Sequence, residues 1–109
     1  MRHLNLDQLR TLIAIADLGS FSAAAQSLHL AQPTVSLHVS ELESRLGVPL
    51  LVRASRRVQP TPAGAELVER GRRLLRDVDE AQAVMVALAK DLAAQGQIQI
   101  SKTQDAMVS

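Results

Sequence analysis

The stretch that decides the fold is Ser22–Leu46, SAAAQSLHLAQPTVSLHVSELESRL. It is typical of a short helix, a tight turn and a longer second helix. In the second helix apolar residues recur at steps of four, three and four, and these residues form a stripe predicted to be buried: Val35, Val39, Leu42 and Leu46. In the first helix Ala24 and Ala25 are small enough for close helix contact, and Leu30 is predicted to fill the turn. This arrangement predicts a helix-turn-helix, a motif whose second helix lies in the DNA major groove.

The surrounding sequence GSFSAAAQSLHLAQPTVSLHVSELESRLGVPLLVR (19–53) resembles the DNA-binding domain of LysR-type transcriptional regulators. The similarity begins near Leu6 and continues through TPAG (61–64) into the helix that follows. The resemblance implies a mainly α, winged helix-turn-helix with three helices and a two-stranded wing, followed by a long dimerising linker helix. It also implies that the start of the third helix enters the major groove, with side chains near bases and phosphates: Gln32, Pro33, Thr34 and Ser36.

The sequence departs from the family pattern at two places in this helix. Position 31, usually a serine that caps the helix, is Ala31, and the common Ser-Arg-Gln run is Ser36-Leu37-His38. Leu37 faces away from the apolar stripe, so we hypothesise that it meets thymine methyl groups in the groove. His38 is included among the predicted DNA-contacting residues without a special role.

The segments on either side complete the predicted domain. Residues 6–18 are predicted to form the first helix, with Asn5 and Gly19 at its ends and one packing face: Leu6, Leu9, Leu12, Ile13 and Ala16. Phe21, the only aromatic residue, is predicted to lie between the helices. Ser22 is predicted to cap the second helix with Ser20 just ahead of it, where the helix N-terminus could bind a DNA phosphate.

A β-hairpin is predicted after the third helix, which Gly47 and Pro49 end. Residues 50–53 are β-prone, and Val58-Gln59 could pair with them to form a wing. Its predicted tip carries three arginines that could reach the minor groove or the DNA backbone: Arg53, Arg56 and Arg57.

A long heptad pattern follows Thr61, which is the predicted cap of another helix with Pro62 at its first position. Its apolar residues follow steps of four and three, with Gly71 as the one weak position, and they predict a coiled-coil homodimer: Leu67, Leu74, Val78, Ala81, Met85, Leu88 and Leu92. An amphipathic helix folded back on its own domain is the alternative. Gly96 is predicted to end the helix, and Gln97–Ser101 alternates like a strand, followed by a short polar tail predicted to be disordered.

Charge and composition restrict the function further. The net charge is +1, but the segment 44–65 is +4 with no acidic residue, while the remainder is −3. This arginine cluster is typical of a phosphate-binding surface. The absence of cysteine excludes disulfides and thiolate metal sites, and no apolar run is long enough to span a bilayer, so a cytoplasmic protein without membrane contact is expected.

The sequence therefore predicts a DNA-binding domain over 1–60, a linker helix over 61–95 and a hinge remnant with its tail over 96–109. We expect a homodimer that binds double-stranded DNA at an inverted repeat. The effector domain of the family is expected to be absent, so no small-molecule inducer is expected to bind this chain. The alternative is a truncated dimerisation module that pairs with full-length regulators and inhibits them.

An enzyme is not predicted. No nucleophile motif or Gly-rich phosphate loop is present, and the three histidines show no metal-ligand spacing: His3, His29 and His38. No catalytic residue, metal or cofactor is therefore expected.

Overall fold

In a computed structural model that describes residues 4–96, these residues form four helices and one hairpin. The elements in chain order are α1 (Leu6–Leu18), α2 (Phe21–Leu28), α3 (Gln32–Leu46), β1 (Leu51–Ala54), β2 (Arg57–Pro60) and α4 (Pro62–Ala94). The predicted class, a mainly α winged helix-turn-helix followed by a long helix, is confirmed. The predicted strand at 97–101 and the predicted disordered tail lie outside the described residues.

Helix α1 has the predicted ends and most of the predicted packing face. The Asn5 side chain accepts hydrogen bonds from the amides of Asp7 and Gln8 at 2.8 and 3.1 Å, and Gly19 ends the helix with φ 71°. Leu6, predicted to pack, is exposed. Leu9 and Leu12 are buried as predicted, and Ile13 and Ala16 pack half-buried against the core. The buried face also includes residues that the prediction did not name: Gln8, Thr11 and Ile15.

Ser20, and not Ser22, caps helix α2. The backbone of Ser20 is extended, and its hydroxyl accepts a hydrogen bond from the Ala23 amide at 3.1 Å. Gly19 makes this possible because its left-handed backbone ends α1 and leaves Ser20 outside either helix. Ser22 already lies in the first turn of α2 and is exposed, so the predicted cap was wrong by two residues.

Helix α3 buries three of the four residues of its predicted stripe. Val35, Val39 and Leu42 are buried, whereas Leu46 is 42% exposed in the last turn before Gly47. Leu30 is also exposed and does not fill the turn, which is closed by backbone contacts instead. His29 adopts a left-handed conformation with φ 57°, and the Leu30 amide donates to the Ala25 carbonyl at 2.9 Å.

The predicted wing is present as an antiparallel pair with Leu51 opposite Pro60 and Ala54 opposite Arg57. Ser55 and Arg56 form the turn, and Ser55 takes the positive φ of 58° that glycine often supplies there. Pro60 ends β2, as expected of a residue that cannot donate to the sheet.

The core consists of two neighbouring groups of buried side chains. One joins α1, α2, α3 and β2 around Ile15, Val35 and Val58, and Phe21 packs against it only partly buried. The other joins α1, α3, the loop before β1 and α4 through buried aliphatic side chains: Leu12, Leu42, Leu50 and Val68.

Helix α4 starts in close contact with the wing. The Thr61 hydroxyl accepts from the Gly64 amide at 3.0 Å, as predicted for a cap, and donates to the Pro49 carbonyl at 2.7 Å. A Cβ atom on Gly64 would lie 1.9 Å from the Leu50 carbonyl oxygen, so no side chain fits there. Gly71 similarly lets α4 approach α1, because a Cβ atom there would lie 3.0 Å from Leu9 Cγ.

The contacts divide the chain into two compact units, Met1–Leu75 and Arg76–Ser109. In the first unit an exposed ion pair joins α4 to α1. Arg72 donates two hydrogen bonds to the Asp17 carboxylate, and this contact raises the pKa of the Arg72 guanidinium. The second unit contains the remaining turns of α4, whose side chains are largely exposed.

Candidate nucleic-acid interface

The outward face of α3 combines polar and apolar side chains and carries no lysine or arginine. Its exposed side chains lie opposite Val35 and Val39, and they are Gln32, Pro33, Ser36, Leu37, Ser40, Glu41 and Ser44. The one arginine of the helix, Arg45, is partly buried and donates to Gln8 Oε1 at 3.2 Å. This face can therefore form hydrogen bonds and apolar contacts with a ligand, but it cannot offer a guanidinium.

Leu37 is the most exposed large hydrophobic residue between residues 4 and 75, at 56%. Its position on the side of α3 away from the core agrees with the sequence pattern. Leu37 belongs to neither of the two groups of core side chains. An apolar side chain held in this position is available for contact with another molecule.

A polar cavity of about 230 Å³ lies where α2, α3 and the wing meet. It brings together five of the residues predicted to contact DNA: Ser20, Ser22, Gln32, Arg53 and Arg56. The Ser22 hydroxyl donates to Gln32 Oε1 at 3.1 Å, which links the starts of the two helices. No carboxylate lines the cavity.

The electrostatics of this cavity favour an anion. The N-terminus of α2 contributes a partial positive charge and free amide groups. Within residues 4–96 neither Arg53 nor Arg56 forms an ion pair, so no carboxylate there competes with an anionic ligand for these guanidinium groups. A phosphate group is the ligand that fits this combination of charge and donors.

Arg57 does not lie at the tip of the wing, and neither does Arg53, because both belong to the strands. Only Arg56 is in the turn. The Arg57 guanidinium packs over Gly19, where an added Cβ atom would lie 2.7 Å from Nη2. This places its charge at the C-terminal end of α1, where helix carbonyl groups attract cations.

Thr34 and His38 lie toward α1 and are half-buried. His38 Nδ1 is 2.8 Å from the Thr11 hydroxyl, which itself donates to the Asp7 carbonyl at 3.1 Å. If the single hydroxyl proton points to the Asp7 carbonyl, the Thr11 oxygen accepts from His38 in the tautomer that carries its proton on Nδ1. The sequence gave one indication of this contact: Thr11 falls on the buried face of an otherwise apolar helix.

Glu43 is a positioning residue that the sequence analysis did not identify. Its carboxylate accepts hydrogen bonds from the amides of Leu50 and Leu51 at 2.7 and 3.4 Å. The contact fixes the start of the wing to α3. No local pattern in the sequence indicates this contact, because Glu43 and Leu50 lie in different elements.

The heptad residues differ in exposure. In the first unit Leu67 is half-buried against the core group that contains Leu12 and Leu42, whereas Leu74 is exposed. In the second unit three heptad residues are exposed and two are half-buried: Ala81, Met85 and Leu88, then Val78 and Leu92.

Within residues 4–96 no group of three or more His, Cys, Asp or Glu side chains is placed to hold a metal ion. No helix in this part of the chain combines the length and the apolar character needed to cross a membrane.

Comparisons with known proteins agree with this geometry. Residues 6–65 match the family model "Bacterial regulatory helix-turn-helix protein, lysR family". A "Probable RuBisCO transcriptional regulator" from Guillardia theta is 48% identical over 75 residues, which are 69% of this chain and 24% of the relative. The chain thus spans about a quarter of the length of this curated relative.

Two solved DNA complexes have the same fold. The structure titled "CbnR_DBD-DNA complex" has a TM-score of 0.74 and 36% identity, and the match covers 79% of this chain and 99% of that one. The structure titled "BenM_DBD/catB site 1 DNA Complex" has a TM-score of 0.71 and 38% identity, covering 83% and 96% of the two chains. With a family model matching more than half of its length, the chain belongs to the lysR family of bacterial regulatory helix-turn-helix proteins.

Proposed function

We propose that this chain is a sequence-specific DNA-binding module that acts as a homodimer at an inverted repeat. Residues 1–60 form its DNA-binding part and residues 61–95 its dimerisation helix. The observation that carries the proposal is the cation-lined cavity beside the free outer face of α3. The cavity that suits an anion thus lies beside the exposed face of α3. A DNA duplex likewise presents its phosphate backbone beside its major groove.

The outer face of α3 is proposed to enter the major groove. It supplies the Gln32 amide and the Ser36 hydroxyl, which can pair with base edges or phosphates, and the Thr34 hydroxyl lies beside it toward α1. Pro33 and Leu37 supply apolar contact, and His38 extends the set toward α1. The 15 residues of α3 span about 22 Å, enough to follow the groove over several base pairs.

The phosphate backbone is proposed to bind at the cavity. Ser20 and Ser22 lie at the start of α2, where amide groups are free to bind an anionic oxygen. Arg53 and Arg56 add two cations that form no ion pair within residues 4–96. Arg57 adds a positive charge on the neighbouring strand, with its guanidinium over Gly19. These contacts bind DNA of any sequence, whereas the side chains of α3 select the target sequence.

The heptad residues are proposed to form the dimer interface. Apolar side chains such as Met85 and Leu88 are exposed on α4, and a second copy of the same helix would cover them. Leu67 also packs within its own unit, so its contribution to the interface is expected to be smaller than that of Leu74, Met85 or Leu88. Two DNA-binding domains related by a dimer axis recognise two half-sites of opposite orientation.

Selection from a pool of random DNA duplexes tests the proposal, followed by affinity measurements on the enriched duplex at several salt concentrations. We expect an inverted repeat, with log Kobs falling against log salt by about 0.9 for each phosphate contact. Enrichment of a single half-site would contradict the dimer, and enrichment of no sequence would contradict specific binding altogether.

A further inference from the structure

Two of the exposed side chains on the outer face of α3 are apolar. Leu37 and Pro33 lie four residues apart, one helical turn, and both are exposed on the side opposite Val35. They make an apolar pair in the N-terminal half of a face otherwise formed by hydroxyl, amide and carboxylate groups. We define this pair as the apolar patch of α3.

We propose that the apolar patch recognises the C5-methyl group of a pyrimidine in the major groove, an inference that rests on the proposed function. The occupant is therefore a thymine in each half-site, or a 5-methylcytosine that carries the same methyl group at the same ring position. Leu37 is the specificity-determining residue in this proposal, and Pro33 flanks it.

The side chains on the outer face of α3 limit which DNA bases it can recognise. Guanine is most often recognised by arginine or lysine, and neither residue lies on the outer face of α3. The thymine methyl is the one apolar group that a base edge presents in the major groove. A leucine side chain cannot form a hydrogen bond, so its selectivity has to come from apolar contact.

The exposure of Leu37 supports the same conclusion. It is 56% exposed on a helix whose other large apolar residues, Leu42 and Leu46, are buried or lie in the last turn. Burial of apolar surface stabilises a complex roughly in proportion to the area removed from water. A site that offers a methyl group to Leu37 is therefore favoured over one that offers only polar atoms.

Removal of single methyl groups from the DNA tests this inference independently of protein folding. In the duplex selected with the full chain, each thymine is replaced in turn by deoxyuridine, which lacks the methyl group and keeps the same pairing edge. We expect one position in each half-site to weaken binding about fourfold, the effect of one buried methyl group. At that position, a C·G pair with 5-methylcytosine should bind about fourfold more tightly than one with cytosine.

Protein variants then assign the effect to Leu37. Leu37→Ala is expected to bring the thymine-to-deoxyuridine affinity ratio close to one. Leu46→Ala, an exposed leucine of the same helix outside the outer face, is the matched control and should preserve the ratio.

The outcomes separate the two proposals. A specific duplex whose affinity is unchanged by deoxyuridine at every position would overturn the methyl readout and leave the DNA-binding function standing. A methyl effect that persists in Leu37→Ala would assign it to another residue. Failure to enrich any duplex would instead contradict the proposed function.

Discussion

At the scale of single residues, Ser20 and Ser22 show how backbone conformation decides what a side chain does. The two serines are chemically identical and two positions apart, yet only Ser20 is extended and accepts from a helix amide. Ser22 lies inside the helix and bonds to Gln32 across the cavity. The sequence alone could not separate them, because either serine follows the Gly19 break closely enough to begin a helix.

Ser20→Ala is expected to lower the free energy of unfolding by about 1 kcal/mol, because the Ala23 amide loses its acceptor. Ser22→Ala should change it by less than about 0.5 kcal/mol, since an exposed hydroxyl bond contributes little. Urea denaturation of both variants measures the difference. Equal losses in the two variants would argue against the assignment of the cap to Ser20.

At the scale of elements, the helices were predictable and the placement of side chains between elements was not. Asn5, Gly19, Thr61 and Pro62 indicate helix ends through local chemistry, and the structure has them in those roles. The position of Arg57 against Gly19 depends on a contact between residues far apart in the sequence. No local pattern contains that information, and the same holds for the Glu43 contact with the wing.

The wing turn also supports a prediction about affinity. Arg56→Ala is expected to reduce the slope of log Kobs against log salt by about 0.9 for each protomer, because one phosphate contact is lost. Site preference should stay the same, since phosphates carry no sequence information. Salt titrations on the selected duplex measure both quantities.

Arg70→Ala is the matched control for that experiment. Arg70 is exposed and paired with Glu66 at 2.9 Å on α4, so its removal also deletes one positive charge. An equal fall in slope for both variants would mean that Arg56 acts through net charge and not through a phosphate contact.

At the scale of the whole molecule, α4 is buried at its start and exposes apolar side chains along its later turns. The first unit accounts for the burial of Val68 and Gly71. Beyond it, Met85 and Leu88 are 59% and 45% exposed, more than a helix in water usually presents at heptad positions. A second copy of the chain covers these residues in our proposal.

Leu88→Glu is expected to convert the dimer into monomers, because it places an unpaired charge in the interface. At a cost of roughly 3 kcal/mol, the dissociation constant of the dimer would rise about a hundredfold. Sedimentation velocity measures the change. Ala83→Glu adds the same charge on the other side of α4 and should leave the dimer intact, whereas equal dissociation by both would contradict the heptad interface.

The Glu43 carboxylate has a consequence for how site preference could change in evolution. Because it ties the amides of Leu50 and Leu51 to α3, a substitution that shifts α3 is also expected to shift the wing and the arginines that we propose to bind phosphates. Effects of substitutions in the two elements are then expected to be non-additive. A new DNA target would be reached most readily through residues such as Leu37, whose side chain can be exchanged without moving the backbone of either element.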